Sequence, residues 1–568
     1  MTTDQNYQQI YRVGGMLDAG FVGQITYTIS LDQVYDELDI HFSFDKRLYS
    51  ESDVTPELID KLQTLCTAKY DAPTYPVEEF RQTILHEMKT EIHTMAELND
   101  NFIGCIHRQL TDRHMLYTKE FTSDGCLAQD TFSGVLKVTV LVFNVLLDNT
   151  QYTLTVSGHP VGQGVIAPNF NLMDTVKTAA GNTGASNAAE SADNSCEAES
   201  APASAVATAG DSSTTGSSSA GNTIIASTRF KRLELHNHTV ESDGSLTCQE
   251  LTEYLAADHV DAFAITDHNT TSGQKKIEQL LEEKHYPISL IRGMEYTTYF
   301  GHILCLNLAK YVPWNSIDQH RPELLFEAAR EKGALVGIAH PFSYGDPFAR
   351  GCRFEMTISD YSKVDFIEIF NNPEPLHEVN ERGTNLWISL IFSGYQITAT
   401  SGMDLHNRAK LAGCYATYIE GKNGGNIASE LDTAIHTHRT WVSKGALLLT
   451  EVLPETNELL LTFTDAHKPG FAVPKTAQVV LKGKDKTFTT SVSLDKPVRV
   501  SLNQLSGTDP IIPLLYEAAS DSCVNAAAAS TSCSNTADAS SAAGQLKEID
   551  ALPAIEGLLC VSPVLYRD

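Results

Sequence analysis

Between Leu233 and His406, short apolar runs end one after another in a histidine or a carboxylate, and no other feature constrains the fold of this chain as strongly. Leu233-Glu234-Leu235 leads into His236-Asn237-His238, Ala262-Phe263-Ala264-Ile265 into Thr266-Asp267-His268, and Ile288-Ser289-Leu290-Ile291 into Gly293-Met294-Glu295. Further on come Gly301-His302-Ile303-Leu304, Leu335-Val336-Gly337-Ile338-Ala339-His340-Pro341 and Ile397-Thr398-Ala399 before Met403-Asp404-Leu405-His406. A short apolar run bounded by turn residues reads as a buried strand. Helical patterns at residues 247–257, 272–284 and 322–332 separate these runs, and strand, helix, strand in series predicts parallel βα units. Because the polar groups fall at the carboxyl ends of the strands, where a closed parallel barrel gathers its active-site loops, a βα-barrel is favoured over an open sheet. Ligand-type residues at so many strand ends predict a multinuclear metal site.

With 568 residues the chain exceeds one compact core. Two stretches rich in Ala, Ser, Thr, Asn and Gly, near residues 178–222 and 518–545, bury too little apolar surface to offset their ordering entropy. The expected organisation is multidomain. It comprises an N-terminal β-sandwich-like domain (1–172), a disordered linker (173–224), a central metal-ligand domain (225–445) and a C-terminal β-rich region (446–568) with a disordered insertion. The first domain carries alternating or β-branched runs at 24–29, 38–44, 136–142 and 152–156, with helices expected at 56–67 and 77–95. Its histidines, His41, His86, His93, His107, His114 and His159, have no partners at ligand spacing. His436 and His438 fall in a helical stretch, where an i, i+2 pair diverges.

A net charge of -30 repels polyanions, so a long nucleic acid is not an expected partner. The 11 cysteines are scattered, without a CxxC pair, and the first ten residues lack a basic stretch followed by an apolar segment. No apolar run approaches the ~20 residues of a membrane span. Together these predict reduced thiols, a cytoplasmic location and no membrane partner.

His236 and His238 stand two apart on a strand, on one face and about 7 Å apart, and Asp404 and His406 repeat that spacing. Asp243, in Glu241-Ser242-Asp243-Gly244, reads as a ligand or a turn residue; Asp267 and His268 read as ligands or as caps of the following loop. Mixed histidine and carboxylate donors without thiolate suit Zn, Mn or Fe, and Glu295 suits a bridge between two ions.

His236-x-His238, Ser-Asp243-Gly, Thr-Asp-His268, Gly-x-Glu295, Gly-His302, His340-Pro and Asp404-x-His406 resemble, in order, the motifs of the polymerase and histidinol phosphatase (PHP) superfamily of metal-dependent phosphoesterases. The layout of β regions on both sides is most similar to its carbaryl-hydrolase-like branch. The resemblance implies a distorted (β/α)7 barrel holding two or three divalent transition metals. One ion would be held by His236, His238, Glu295 and Asp404, a second by Glu295, His302 and His340, and a third by Asp243, His268 and His406. Catalytic roles would fall to Asp404, Glu295 and His340.

Tyr344, Arg350 and Arg353 after His340, and Arg408 after His406, put cations and a ring near this site, and Arg suits bidentate phosphate recognition. Asn371 and Asn372, after the strand at 366–370, are candidates for a leaving-group hydrogen bond. The leading expectation is a phosphomonoesterase or phosphodiesterase acting on a small phosphorylated metabolite or nucleotide. Hydrolysis of a carbamate, ester or amide is the second, and a non-catalytic metal-stabilised binding protein the third. Arg350, Arg353 and Arg408 in the cleft would favour phosphate; a pocket of Phe342, Tyr344 and Phe348 would favour a carbamate or ester.

Overall fold

A computed structural model describes residues 7–70, 76–108, 110–161, 230–371, 377–422, 424–507, 509–518, 546–549 and 551–566. The expected linker, all but the first residue of the late insertion, and Asn372 lie outside the described residues. The chain is multidomain and strand-rich, with a seven-stranded, a fourteen-stranded and a three-stranded sheet.

The first sheet contains β1 (Gln8–Leu17), β2 (Gly23–Phe44), β3 (Glu91–Leu98), β4 (Asn101–Ile106), β5 (Asp112–Tyr117), β6 (Phe132–Asn144) and β7 (Thr150–Pro160), ordered β1-β7-β2-β6-β3-β4 with β5 also on β2. The long β2 pairs with β6 along its first half and with β5 and β7 along its second, its register breaking between Leu31 and Tyr35. One strand therefore serves two groups of strands, and Ile29, Leu38, Phe42, Val138 and Leu154 from both groups share one core. Helices α1 (Pro56–Tyr70) and α2 (Val77–Glu87) interrupt it. The expected helix at 77–95 stops at Glu87 because Met88 turns extended and Thr90-Glu91-Ile92-His93-Thr94 enters a buried strand, where its β-branched residues pack better.

In the central region β8 (Phe230–Glu234), β9 (Ala262–Ile265), β10 (Ser289–Thr298), β11 (Gly301–Leu306), β12 (Leu335–Ile338), β13 (Phe366–Asn371) and β14 (Thr398–Gly402) are consecutive neighbours. Helices α3 (Cys248–Ala257), α4 (Ser272–Lys284), α5 (Glu323–Arg330) and α6 (His377–Phe392) connect them. Thr247 and Glu250 start α3 with a reciprocal capping box.

The all-parallel expectation needs correction, since β11 runs antiparallel to both β10 and β12. Only Tyr299-Phe300 separate β10 from β11, and so short a link makes a hairpin, not a crossover. Nor does a continuous ladder close the ring. Its ends meet at the parallel bridge Asn237↔Leu405, where the His238 N–H donates to the Leu405 carbonyl and the Leu405 N–H to that of His236.

Beyond β8 the same sheet continues through β15 (Ala416–Glu420) and β16 (Thr440–Ser443), with α7 (Ile427–His436) between them in sequence. It runs on into β24 (Leu558–Val561), β22 (Ile512–Glu517), β19 (Thr476–Lys482), β20 (Thr487–Ser493) and β23 (Lys547–Ile549). The last sheet consists of β17 (Ala446–Leu453), β18 (Glu458–Asp465) and β21 (Val498–Ser501). Met95, Cys105, Leu141 and Phe143 of the first sheet share a core with Met294, Tyr296 and Tyr299 of the central one. Phe102 stacks on Tyr311 at 3.8 Å across that junction. Among the described residues no helix is long and apolar enough to cross a membrane.

Candidate metal centre

The loops at one end of the central sheet carry the donors. Asp267 accepts hydrogen bonds from the Thr239 amide and hydroxyl and from the Ser242 hydroxyl, which shapes the turn presenting Asp243. Gly244 is required beside it, because a Cβ there would lie 2.4 Å from the His238 carbonyl oxygen. Gly402 similarly lets β14 approach His236, whose Cβ would be 2.5 Å from any Cβ at that position. His340 and Asp404 have φ of 24° and 50°, in the left-handed region.

Glu295 lies at the centre, fully buried. Its Oε2 is 3.1 Å from His236 Nε2, 3.3 Å from His238 Nε2 and 2.9 Å from His268 Nδ1. Its Oε1 is 2.8 Å from His302 Nδ1 and 3.0 Å from His340 Nε2. Asp404 Oδ1 lies 2.9 Å from His238 Nε2 and 3.4 Å from His236 Nε2. Towards the outside, Asp243 Oδ1 is 3.2 Å from His406 Nε2 and 3.6 Å from His268 Nε2. His236, His238, Glu295 and Asp404 thus form one group with ligand atoms close enough for a single ion, and His238, Asp243, His268 and His406 form another. A third group, His268, Glu295 and His302, has His340 alongside. His268 Nδ1 already meets the Thr297 hydroxyl at 2.5 Å, so its Nε2, facing Asp243, is the donor left for the outer group.

These residues fit cations. His236 Nε2, His238 Nε2, Asp243 Oδ1, Glu295 Oε2, His302 Nε2 and Asp404 Oδ1 are buried without a hydrogen-bond partner, an arrangement costly unless an ion satisfies it. Donor separations near 3.3 Å are also the edge of a tetrahedron with ~2.0–2.1 Å metal–ligand bonds. Burial opposes charge on Glu295 and Asp404, but the surrounding imidazoles, His236 foremost, hold both well below the usual carboxylate range. Burial likewise opposes the charged imidazole of His406, yet Asp243 and Asp404 outweigh it and push it up to about 10.

A further carboxylate supports the donors from behind. Glu368, buried mid-strand, receives His236 Nδ1 at 3.1 Å, the His340 backbone N–H at 3.0 Å and Asn371 Nδ2 at 2.9 Å. The ring of His340 is set by its Nδ1, 3.2 Å from the Cys352 carbonyl oxygen.

A cavity of about 200 Å³ opens on the donors, lined also by Lys89, His107, Tyr344, Arg350 and Cys352. Of the expected substrate contacts it takes Tyr344 and Arg350, the latter 3.2 Å from Asp346. Arg353 instead lies over the rings of Tyr70 and Phe342, and Arg408 over Tyr254, each held away by cation–π packing. Asn371 serves Glu368, not the cavity. Phe348 packs against Phe80, and Phe342 faces a separate crevice. The expectation missed Glu368 and the first-domain residues Lys89, Glu91 and His107, which reach the cavity across the junction.

Residues 7–160 match a family of unknown function, DUF6669. Over 112 residues the chain is 30% identical to an uncharacterized protein of Methanocaldococcus jannaschii, covering 20% of this chain and 58% of that one. Over 141 residues it is 36% identical to a 5'-3' exoribonuclease of Haemophilus influenzae, covering 23% and 50%. The chain thus spans about half the length of the curated relatives it matches. Among solved structures it is similar to a two-domain protein of Bacteroides vulgatus containing a predicted PHP-like metal-dependent phosphoesterase, with 14% identity, a TM-score of 0.30, and 51% of this chain and 91% of that one covered.

Proposed function

We propose that the chain is a PHP-type metal-dependent phosphoesterase acting on a small phosphorylated metabolite or nucleotide, its central sheet corresponding to a distorted (β/α)7 barrel. One observation carries the reading: unpartnered buried imidazole and carboxylate atoms converge beside a cavity that also holds Lys89 and Arg350. The partial likeness to an exoribonuclease supports phosphoester chemistry in particular.

His236, His238, Glu295 and Asp404 would hold one ion, Glu295, His302 and His340 a second, and Asp243, His268 and His406 a third. Bound divalent cations supply Lewis acidity and lower the pKa of a water enough to give hydroxide near neutral pH. Around them the chain's own residues position and shield. Glu368 fixes the tautomer of His236 by accepting from Nδ1, leaving Nε2 as the lone-pair donor. Arg350 and Lys89 would receive the phosphate oxygens through charge-assisted hydrogen bonds, with Tyr344 forming a wall.

The test is chelation followed by reconstitution with Mn, Fe or Zn on a panel of phosphomonoesters, phosphodiesters, carboxyl esters and carbamates. Metal-dependent turnover of phosphoesters that falls by about 10²-fold in Arg350→Ala supports the proposal. Turnover confined to esters or carbamates would sink it.

A further inference from the structure

We propose that the first domain is a working part of the centre, with His107, in the loop after β4, a positioning residue for the outer donors. The inference rests on the reading that Asp243, His268 and His406 hold an ion. The two oxygens of Asp243 face different partners: Oδ1 looks toward His406 and His268, while Oδ2 lies 3.5 Å from His107 Nε2. The His107 ring also stacks on His268, with centroids 4.1 Å apart and planes 24° from parallel. One side chain of the first domain therefore touches two of the three outer donors. It is backed in turn by His93, 3.9 Å away centroid to centroid, whose Nε2 meets Glu91 Oε1 at 3.2 Å.

The Arg108 side chain and the Gly125 backbone of the same domain grip the same two loops. Arg108 Nη2 donates to the Gly244 carbonyl at 3.2 Å, next to Asp243. The Gly125 N–H donates to Glu241 Oε2 at 3.0 Å, and the Gly125 carbonyl accepts from the Thr270 hydroxyl at 2.9 Å, close after His268. Gly125 has φ of 79° and leaves no space for a Cβ, which would lie 2.3 Å from the Cys105 carbonyl oxygen. Among the described residues no hydrogen bond joins the first sheet to His236, Glu295, His302 or Asp404. The first domain acts on one ligand set and leaves the other to the central strands. A group that orients a ligand carboxylate is worth about 10- to 100-fold in metal affinity.

The experiment titrates Mn(II) into the full chain, stripped of metal, and counts bound ions by electron paramagnetic resonance. It compares wild type with His107→Phe, which keeps the stacking ring, and His107→Gln, which keeps an N–H donor; circular dichroism reports folding. The wild type should bind three ions. His107→Phe should bind two with unchanged affinity and the third about 10- to 100-fold more weakly, with His107→Gln restoring part of that loss. If His107→Phe fails to fold, Arg108→Ala should show a smaller loss at the same ion. Three ions bound as tightly by His107→Phe as by wild type would overturn the inference alone, because His107 would then only fill the junction. A wild type that binds two ions regardless of His406→Ala would overturn the underlying reading and the inference with it.

Discussion

The inner and outer halves of the centre share a chemistry but are built differently. Around Glu295 the donors His236, His238, His302 and His340 are at most 5% exposed, whereas Asp243 and His406 at the outer end are 27% and 32% exposed. Glu295 and His302 are held in β10 and β11, and Glu368 from the same sheet fixes His236 and the His340 backbone, while the loops of the outer donors are braced from the first domain. Burial makes unpaired donors expensive, so the inner half has the stronger requirement for cations and would hold them more tightly. The outer half, open to water, can lose its ion at smaller cost.

The sharpest test of that difference is removal of the bridge. Glu295→Ala should abolish binding at two positions and lower phosphoester turnover by about 10³-fold or more, since both charge and geometry are lost. His406→Ala should remove one ion only. Elemental analysis of the two variants would break the comparison if they lost the same number of ions. Glu368→Gln should come next, keeping the shape of the side chain while weakening its hold on His236 Nδ1 and costing about 10- to 100-fold in metal affinity at the inner half. Competition with a chelator measures it, and an unchanged affinity would mean that Glu368 only packs.

A smaller structural effect should follow from Gly402→Ala. The new Cβ would meet His236 Cβ at 2.5 Å and Glu368 Oε1 at 2.7 Å, so β14 must move away. Overpacking of this kind costs about 1–3 kcal/mol. Thermal unfolding of the metal-free protein reads the loss, and an unaltered midpoint would show that the strand yields freely.

The same contrast explains what the sequence reveals. Most of the donors are legible because they flank short apolar runs, and His236/His238 and Asp404/His406 come as i, i+2 pairs, a spacing that survives any tertiary arrangement. Glu368 left a weaker signal, a carboxylate alone within Phe366-Ile367-Glu368-Ile369-Phe370, where a buried charge demands a partner. His107 and Lys89 left none. Their relation to Asp243 and the cavity depends on how two sheets meet, which local spacing does not encode. Arg353 and Arg408 lie over aromatic rings, a direction that nearness in sequence to a ligand does not set. The direction of β11 was readable after all, from a two-residue link too short for a crossover.

The mildest prediction concerns pH and the outer half alone. In metal-free protein, burial opposes charge on His406 but Asp243 and Asp404 push its pKa up to about 10. A folded-state pKa above the unfolded value of ~6.5 means that this attraction contributes fully below pH ~6.5 and is lost as pH rises through about 10. The midpoint of the stripped wild type should therefore fall relative to that of His406→Gln as pH rises from 6.5 to 10, by a few degrees at most for so exposed a pair. Metal uptake runs the other way. The imidazole must give up its proton to bind an ion, so affinity at the outer position should climb with pH across the same interval while the stability of the stripped protein declines. Parallel thermal melts and Mn(II) titrations would measure both slopes. Slopes of the same sign, or a melt profile unchanged by His406→Gln, would remove His406 from the outer position and leave its ion dependent on Asp243 and His268.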